Sequence, residues 1–310
     1  MLIQGTEGPG EWAAFLEYPD EVAARWLLSA LEQAFDRNVA KPAPSITHIP
    51  VNATFPALDA EQIPSWWSHF SGCQSAKIKV GEPGHSLTED VERLRVLRDT
   101  VGPEVTIRLD ANGRWSLDQA EAALQALHQF GIDYVEQPVQ GLGEMVELKK
   151  RISGTNIRLA ADELIRQNDE LTTVIDQGAA DIAVLKTSPL GGVRRTLALA
   201  EEAHAAGLEV VISSALETSV GLSWGIRTAA LLTERWGELP DSGLGTAAFL
   251  SGDVVQTPLI VENGRVAVSD PVLDFEAMNA VKASAERTAW WKDRLRRCYP
   301  LALEMLENER

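Results

Sequence analysis

Cysteine is nearly absent from this sequence: its 310 residues hold two, Cys73 and Cys298, far apart and flanked by no CxxC or Cys/His cluster. That argues against a disulfide framework and a zinc site, and for a reducing, cytoplasmic setting. Cations are in deficit as well. Against 45 Asp and Glu stand 28 Lys and Arg, which leaves a formal net charge of -17 and an isoelectric point near 4.7. Such a field repels phosphate backbones and anionic headgroups, so neither nucleic acid nor a membrane surface is an expected partner. An anionic small molecule then needs a pocket whose local cations and metal outweigh the global charge. No apolar run reaches the roughly 18 residues of a membrane span, and the opening Met-Leu-Ile-Gln-Gly-Thr-Glu lacks the basic and apolar regions of an export signal. There is no low-complexity tract and no internal repeat beyond a βα unit.

That unit is what the sequence does contain. Hydrophobic residues make up 45% and charged ones 24%, an ordinary globular balance. The length suits one α/β barrel of roughly 250 residues with a small companion. From residue 46 onward, β-rich runs at 47–55, 76–80, 106–109, 134–136, 157–160, 181–186 and 209–213 alternate with helical stretches, the pattern of a parallel sheet. After Asp110, Ser116 and Gln119 make a capping box, Leu117, Ala120, Leu124 and Leu127 keep helical spacing, and Gly131 can end the helix. A second helix is expected over 193–206 with Gly207 as its stop, and residues 243–247 are expected as an eighth strand. Residues 1–45 stand outside this rhythm as a small separate element, with a helix over 21–35 and Lys41-Pro42-Ala43-Pro44 as a linker. The barrel is expected over 46–273, followed by a helical segment over 274–310 that packs back on the N-terminal element through Trp290, Trp291, Leu295 and Leu301.

In Ala76-Lys77-Ile78-Lys79-Val80 the alternation puts both lysines on one strand face, which points inward in a barrel. Alone, this also suits an edge strand guarded by solvated lysines. Arg108-Leu109-Asp110 repeats the arrangement with Asn112 following, although Asp-Ala-Asn-Gly also suits a plain turn. The balance shifts with Glu136 and Asp162. Asp110, Glu136 and Asp162 are 26 residues apart (136 − 110, 162 − 136) and Lys186 follows after 24 (186 − 162), one βα unit per step. All four therefore fall at C-terminal strand ends, the face where barrels build active sites. Three carboxylates there repel one another unless a hard divalent cation accepts their oxygens; Mg²⁺ is the natural occupant, with Mn²⁺ able to substitute. Lys186 faces Lys77 and Lys79 across the mouth. Removing a proton next to a carboxylate requires that the enediolate charge be stabilised as it develops, which a metal and a cation do. Lys79, beside Lys77 and near a dication, is expected to be tuned by like charge into a neutral general base.

On these residues the sequence resembles the enolase superfamily, and within it the o-succinylbenzoate synthase family of menaquinone biosynthesis. The matching marks are Lys77-Ile78-Lys79, Asp110-Ala111-Asn112, Glu136-Gln137-Pro138, Ala161-Asp162-Glu163, Leu185-Lys186 and the segment from Ser213 and Ser214 to Ser219. The resemblance implies a modified TIM barrel of the (β/α)7β type, with a reduced α+β capping domain formed by the N- and C-terminal segments. It implies Asp110, Glu136 and Asp162 as Mg²⁺ ligands, Lys79 as the base, Lys77 as its assistant and Lys186 as an electrostatic partner on the opposite face. The implied reaction is the syn dehydration of 2-succinyl-6-hydroxy-2,4-cyclohexadiene-1-carboxylate to 2-succinylbenzoate. Ser213 and Ser214 are implied substrate contacts, with Arg108 as a further candidate, either for substrate or for support behind the residues that touch it, and Glu163 orienting a lysine; Ser219 equally suits a helix cap. The family's first cap strand and mobile loop precede the segment matching Leu2-Ile3-Gln4-Gly5. This chain is therefore expected to lack the first part of the cap and to keep part of the rim in residues 11–16. The closest rival is an N-acylamino acid racemase, which also needs a lysine on each side of one carbanion. A truncated, inactive ligand-binding barrel is the alternative outside enzymes. Mandelate-type racemisation is disfavoured because no His stands at the seventh strand end. Dipeptide epimerisation is disfavoured because Gly243-Leu244-Gly245 offers no acidic pair. A monomer is favoured over an oligomer.

Overall fold

The computed structural model describes residues 1–43, 45–166 and 170–308. Its strands are β1 (Leu2–Gln4), β2 (Pro9–Glu11), β3 (His48–Pro50), β4 (Ala53–Phe55), β5 (Ser75–Lys79), β6 (Thr106–Asp110), β7 (Ile132–Glu136), β8 (Arg158–Ala161), β9 (Ile182–Lys186), β10 (Glu209–Ser213) and β11 (Arg265–Ala267). Strands β4 to β10 form one parallel sheet in sequence order. Between them run the helices Leu87–Val101, Leu117–Leu127, Leu142–Arg151 and Val193–Ala205, and Ser219–Trp236 follows β10. The first two open on the capping boxes Ser86/Glu89 and Ser116/Gln119, and Gly131 closes the second helical stretch in the left-handed region at φ 68°.

Alternate residues of these strands sort into two layers. Ala76, Ile78, Ile107, Leu109, Leu159, Ala183 and Leu185 join helix residues in the main core, whereas Tyr134, Ala160, Ile182, Val184 and Val211 pack with one another inside the curled sheet. Because both faces are covered, β9 is buried at every position, as parallel strands require.

Closure of the sheet differs from expectation in two places. The run 47–55 is not one strand: His48–Pro50 pairs antiparallel with β11, and only Ala53–Phe55 enters the parallel sheet. The eighth strand, expected over 243–247, starts one residue earlier and is confined to Ser242 and Gly243, which bridge Val51 and Ser213. Backbone hydrogen bonds from Ser242 N to Pro50 O (3.0 Å) and from Gly243 N to Ile212 O (2.8 Å) join the two sheet edges, and Thr246–Phe249 turns into a 3-10 helix. Gly243 is needed here because a Cβ would stand 2.3 Å from Ser213 Oγ.

A second core lies outside the barrel. The β1–β2 hairpin rests on the helix Asp20–Phe35, where a Cβ on Gly10 would meet Ala30 O at 2.0 Å. That helix packs on the C-terminal helix Ala285–Asn308 through Trp12, Trp26, Leu27, Ala30, Cys298 and Ala302, with Trp291, Leu295 and Leu301 at the margin. The expected linker, 41–44, begins directly after a 3-10 turn, Arg37–Ala40, and its last residue, Pro44, lies outside the described residues, as do Glu309 and Arg310 of the C-terminal segment. Among the described residues, no helix is long and apolar enough to cross a membrane.

Candidate active site

Register sets the first shared level of the site. Lys79 pairs with Asp110 across β5–β6, and Asp110 with Glu136 across β6–β7. In a parallel sheet, register partners project to the same face, so the three side chains emerge side by side at the C-terminal mouth. Asp162 follows the end of β8, and Lys186 ends β9 beside Ser213 of β10. Two residues after Asp110 and one after Glu136, the non-glycine residues Asn112 (φ 46°) and Gln137 (φ 41°) adopt left-handed backbone. Such conformations cost about 1 kcal/mol or more and cluster at functional sites. Gln137 is held by its own side chain, whose Oε1 accepts from Asp162 N at 3.1 Å.

The charged groups interlock. Lys77 donates to Glu136 Oε2 at 2.7 Å and lies 3.5 Å from Asp110; Lys79 donates to Asp110 Oδ2 at 2.7 Å and also to Asn112. Lys186 donates to Asp162 Oδ2 at 2.6 Å and stands 3.7 Å from Glu136. Burial opposes the charge of Lys77, but Glu136 and Asp110 outweigh it and raise its pKa. Asp162 does the same for Lys186 against burial and Arg166. Two carboxylates thus hold Lys77 in its charged form. Asp110 is pulled well below the usual carboxylate range, burial being overcome by Lys79 and Lys77; Asp162 falls to about 2, with Arg166 and Lys186 overcoming its burial. Glu136 moves the other way, pushed up by burial and by Asp110.

Glu136 also bears on what the site can hold. Its Oε1 is buried and accepts no hydrogen bond among the described residues. An unsatisfied carboxylate oxygen in an all-oxygen donor set suits a hard divalent cation. The arrangement departs from expectation in one respect. Each carboxylate turns to an ammonium group, so among the described residues no three acidic or metal-binding side chains converge on one point.

A cavity of about 430 Å³ opens above this cluster. Its floor is Lys77, Lys79, Asp110 and Lys186, and its walls include Phe15, Thr54, Phe55, Ser213, Ser214, Leu216 and Phe249. Ser214 Oγ donates to Gly243 O at 3.0 Å and meets Thr246 Oγ1 at 2.7 Å; Ser213 lies beside it. Arg108 is placed elsewhere: it is buried below the cavity, donates to Asp241 O at 2.6 Å and stacks 5.1 Å over Tyr134, bracing the closing strand. Ser219 is not a cap either. Thr218 caps the helix Ser219–Trp236, while Ser219 Oγ donates to Asp253 at 2.6 Å. Glu163 accepts from Asn112 at 3.1 Å and Arg166 at 2.6 Å.

Several lining residues escaped the sequence reading. Thr54 and Phe249 carry no local signal of a site, whereas Leu216 lies within the segment 213–219 that the resemblance marked. Arg166 carried one, its i,i+3 spacing from Glu163 just past a strand end. A second, more polar cavity of about 510 Å³ shares Phe15, Lys79, Asn112 and Arg166 with the first and extends to Arg114 and Gln140. Phe15 comes from the rim segment 11–16, and Glu11 of that segment ties it to the loop after β10: its carboxylate accepts from Thr218 Oγ1 (2.6 Å) and Gly221 N (2.8 Å).

Residues 66–272 match the family described as Enolase C-terminal domain-like, and residues 1–34 the one described as Enolase N-terminal domain-like. The chain is 42% identical over 301 residues to the o-succinylbenzoate synthase of Mycobacterium marinum, covering 97% of this chain and 87% of that protein. With the o-succinylbenzoate synthase of Mycolicibacterium smegmatis it shares 41% over 303 residues, covering 97% and 89%. Among solved structures, muconate cycloisomerase from Pseudomonas fluorescens superposes with a TM-score of 0.73 at 21% identity, covering 90% of this chain and 92% of that one. N-succinyl Arg/Lys racemase from Bacillus cereus superposes at 0.70 and 24%, covering 86% and 73%. At such identities these two structures speak to the fold alone.

Proposed function

The chain belongs to the enolase superfamily and, within it, to the o-succinylbenzoate synthase family of hydro-lyases, and on that premise we propose how its own residues carry out the reaction. The reaction is the syn dehydration of 2-succinyl-6-hydroxy-2,4-cyclohexadiene-1-carboxylate to 2-succinylbenzoate, a step of menaquinone biosynthesis in the cytoplasm. The observation that carries the assignment of roles is the register that lines Lys79, Asp110 and Glu136 side by side across β5 to β7. Lys186 stands two strands beyond β7, at the end of β9.

Asp110, Glu136 and Asp162 are the residues that would hold a divalent cation, Mg²⁺ or in its place Mn²⁺. Bound there, the cation supplies Lewis-acid stabilisation of the charge that develops on the substrate carboxylate. Lys79, the most exposed of the three lysines toward the cavity, takes the α-proton in its neutral form. Lys77 holds Glu136 and Asp110 in place from below, and Lys186 supplies positive charge to the enediolate from the opposite side. The hydroxyl leaves on the face of Lys79, which returns the proton to it, so one lysine serves both halves of the elimination. Ser213, Ser214 and the adjoining turn line the wall against the succinyl arm, and Phe15, Phe55 and Phe249 shelter the ring. Arg108 supports the barrel closure beneath.

Charge balance favours this reading. Lys77, Lys79, Lys186 and Arg166 are paired with Asp110, Glu136, Asp162 and Glu163, four cations to four carboxylates. Because Lys79 is neutral when it acts as the base, a divalent cation leaves the cluster at +1, a locally cationic pocket for a dicarboxylate despite the molecule's net charge of -17. The test is ultraviolet monitoring of the cyclohexadiene with protein and Mg²⁺, beside polarimetry on N-succinyl amino acids. Loss of the diene absorbance that disappears with chelator is the expected result. Racemisation without diene turnover overturns the assignment.

A further inference from the structure

Arg166 is a buried arginine whose guanidinium reaches three oxygens on two sides of the cavity. Nε donates to Asp162 Oδ1 at 2.9 Å and Nη2 to Glu163 Oε1 at 2.6 Å, both at the end of β8. Nη1 donates to Tyr18 Oη at 2.6 Å, on the N-terminal segment 148 residues away in sequence. The Asp162 contact occupies one oxygen of that carboxylate and leaves Oδ2 to the Lys186 side. The Tyr18 contact acts on Phe15. Tyr18 N donates to Phe15 O at 3.3 Å, and the two rings are 5.6 Å apart, so the position of Tyr18 sets where Phe15 meets both cavities. From the far side, Arg294 clamps the same turn by its backbone, donating to Phe15 O at 3.0 Å and Tyr18 O at 2.6 Å.

We propose that Arg166 is a positioning residue for both walls of the site: it orients Asp162 toward the metal and, through Tyr18, holds Phe15 against the cavity. This rests on the reading of Asp162 as a metal ligand. A guanidinium is suited to the task because its fork presents donors in three fixed directions, which an ammonium on a flexible stem does not. Two elements biased by one group are thermodynamically coupled, and the coupling is reciprocal. Metal binding at Asp162 therefore tightens the 12–19 segment, and a docked segment raises metal affinity.

The experiment combines calorimetric titration with Mg²⁺ and hydrogen exchange of the amides at residues 13–18, with and without Mg²⁺, on the whole chain. Tyr18→Phe and Arg166→Lys both keep the net charge, so they report on orientation rather than on electrostatics. In the unaltered protein Mg²⁺ slows exchange in the segment. Tyr18→Phe is expected to weaken Mg²⁺ about fivefold, to abolish the Mg²⁺ effect on exchange and to raise KM more than it lowers kcat. Arg166→Lys is expected to lose about ten- to a hundredfold in Mg²⁺ affinity and the same protection. Mg²⁺ binding with segment exchange indifferent to it overturns the inference and leaves the metal reading standing, as does a Tyr18→Phe variant with unaltered affinity and protection. Absence of Mg²⁺ binding in the unaltered protein overturns both.

Discussion

Lys79 differs from its two fellow lysines in exposure: its side chain is 29% accessible, against 9% for Lys77 and 10% for Lys186. A base that must lose and regain a proton needs access to its substrate, whereas a group that only supplies field is best held in place by carboxylates. Lys79→Ala should therefore abolish exchange of the substrate's α-hydrogen with deuterated solvent, followed by NMR, while Mg²⁺ binding measured by calorimetry persists. Exchange that survives the substitution moves the base to Lys186. The residues of this cluster were legible in the sequence because strand alternation and strand-end position are local properties. Arg166, Phe15 and Phe249 reach the same cavity from a helical turn, the N-terminal segment and a 3-10 helix. Their convergence is fixed by docking of elements far apart in the chain, which periodicity does not encode. For Arg108, alternation gives the inward face, but its depth below the mouth follows from the closing strand that it braces.

Element identity was more legible than element boundaries. The alternation of βα units located all seven parallel strands, because a parallel sheet covered on both faces demands short apolar runs. The eighth strand was less legible because it amounts to Ser242 and Gly243, too short to show a period, and its role comes from backbone pairing with both edges. Gly243 is where that closure is tightest. A Cβ there would lie 2.3 Å from Ser213 Oγ and 3.1 Å from Ser213 Cβ, so rotation of the hydroxyl relieves only the first contact. Gly243→Ala is expected to cost about 1–3 kcal/mol by overpacking, read as a lower urea midpoint. Since Ser214 bonds to Gly243 O, the same change should raise KM for the diene. Unchanged stability with unchanged KM would show that the seam has slack that these contacts deny.

At the scale of the molecule, the N-terminal helix Asp20–Phe35 meets the barrel at a largely, though not fully, buried carboxylate. Glu32 accepts from Val193 N at 2.5 Å and Arg194 N at 3.4 Å, at the start of the helix Val193–Ala205. Burial pushes its pKa up from 4.5 to about 7, and the backbone donors and Arg194 only partly oppose that. The seam between the two cores is thus pH-sensitive in a molecule whose surface is strongly acidic. The direction follows from linkage: a carboxyl whose folded pKa lies above its unfolded one binds its proton more tightly when folded. Its stabilising contribution is complete below about pH 4.5 and is lost as the pH rises through about 7. At 1.36 kcal/mol per unit, the loss is on the order of 3 kcal/mol. Glu32→Gln keeps an acceptor for Val193 N and does not titrate. Urea unfolding of both proteins at pH 5, 6, 7 and 8 isolates the group, because other titrations cancel in the difference. The variant should gain on the unaltered protein steadily between pH 5 and 7 and level off above. A difference that is flat over that window would mean that Glu32 keeps its charge in the folded state, compensated by the N-terminus of the helix it caps.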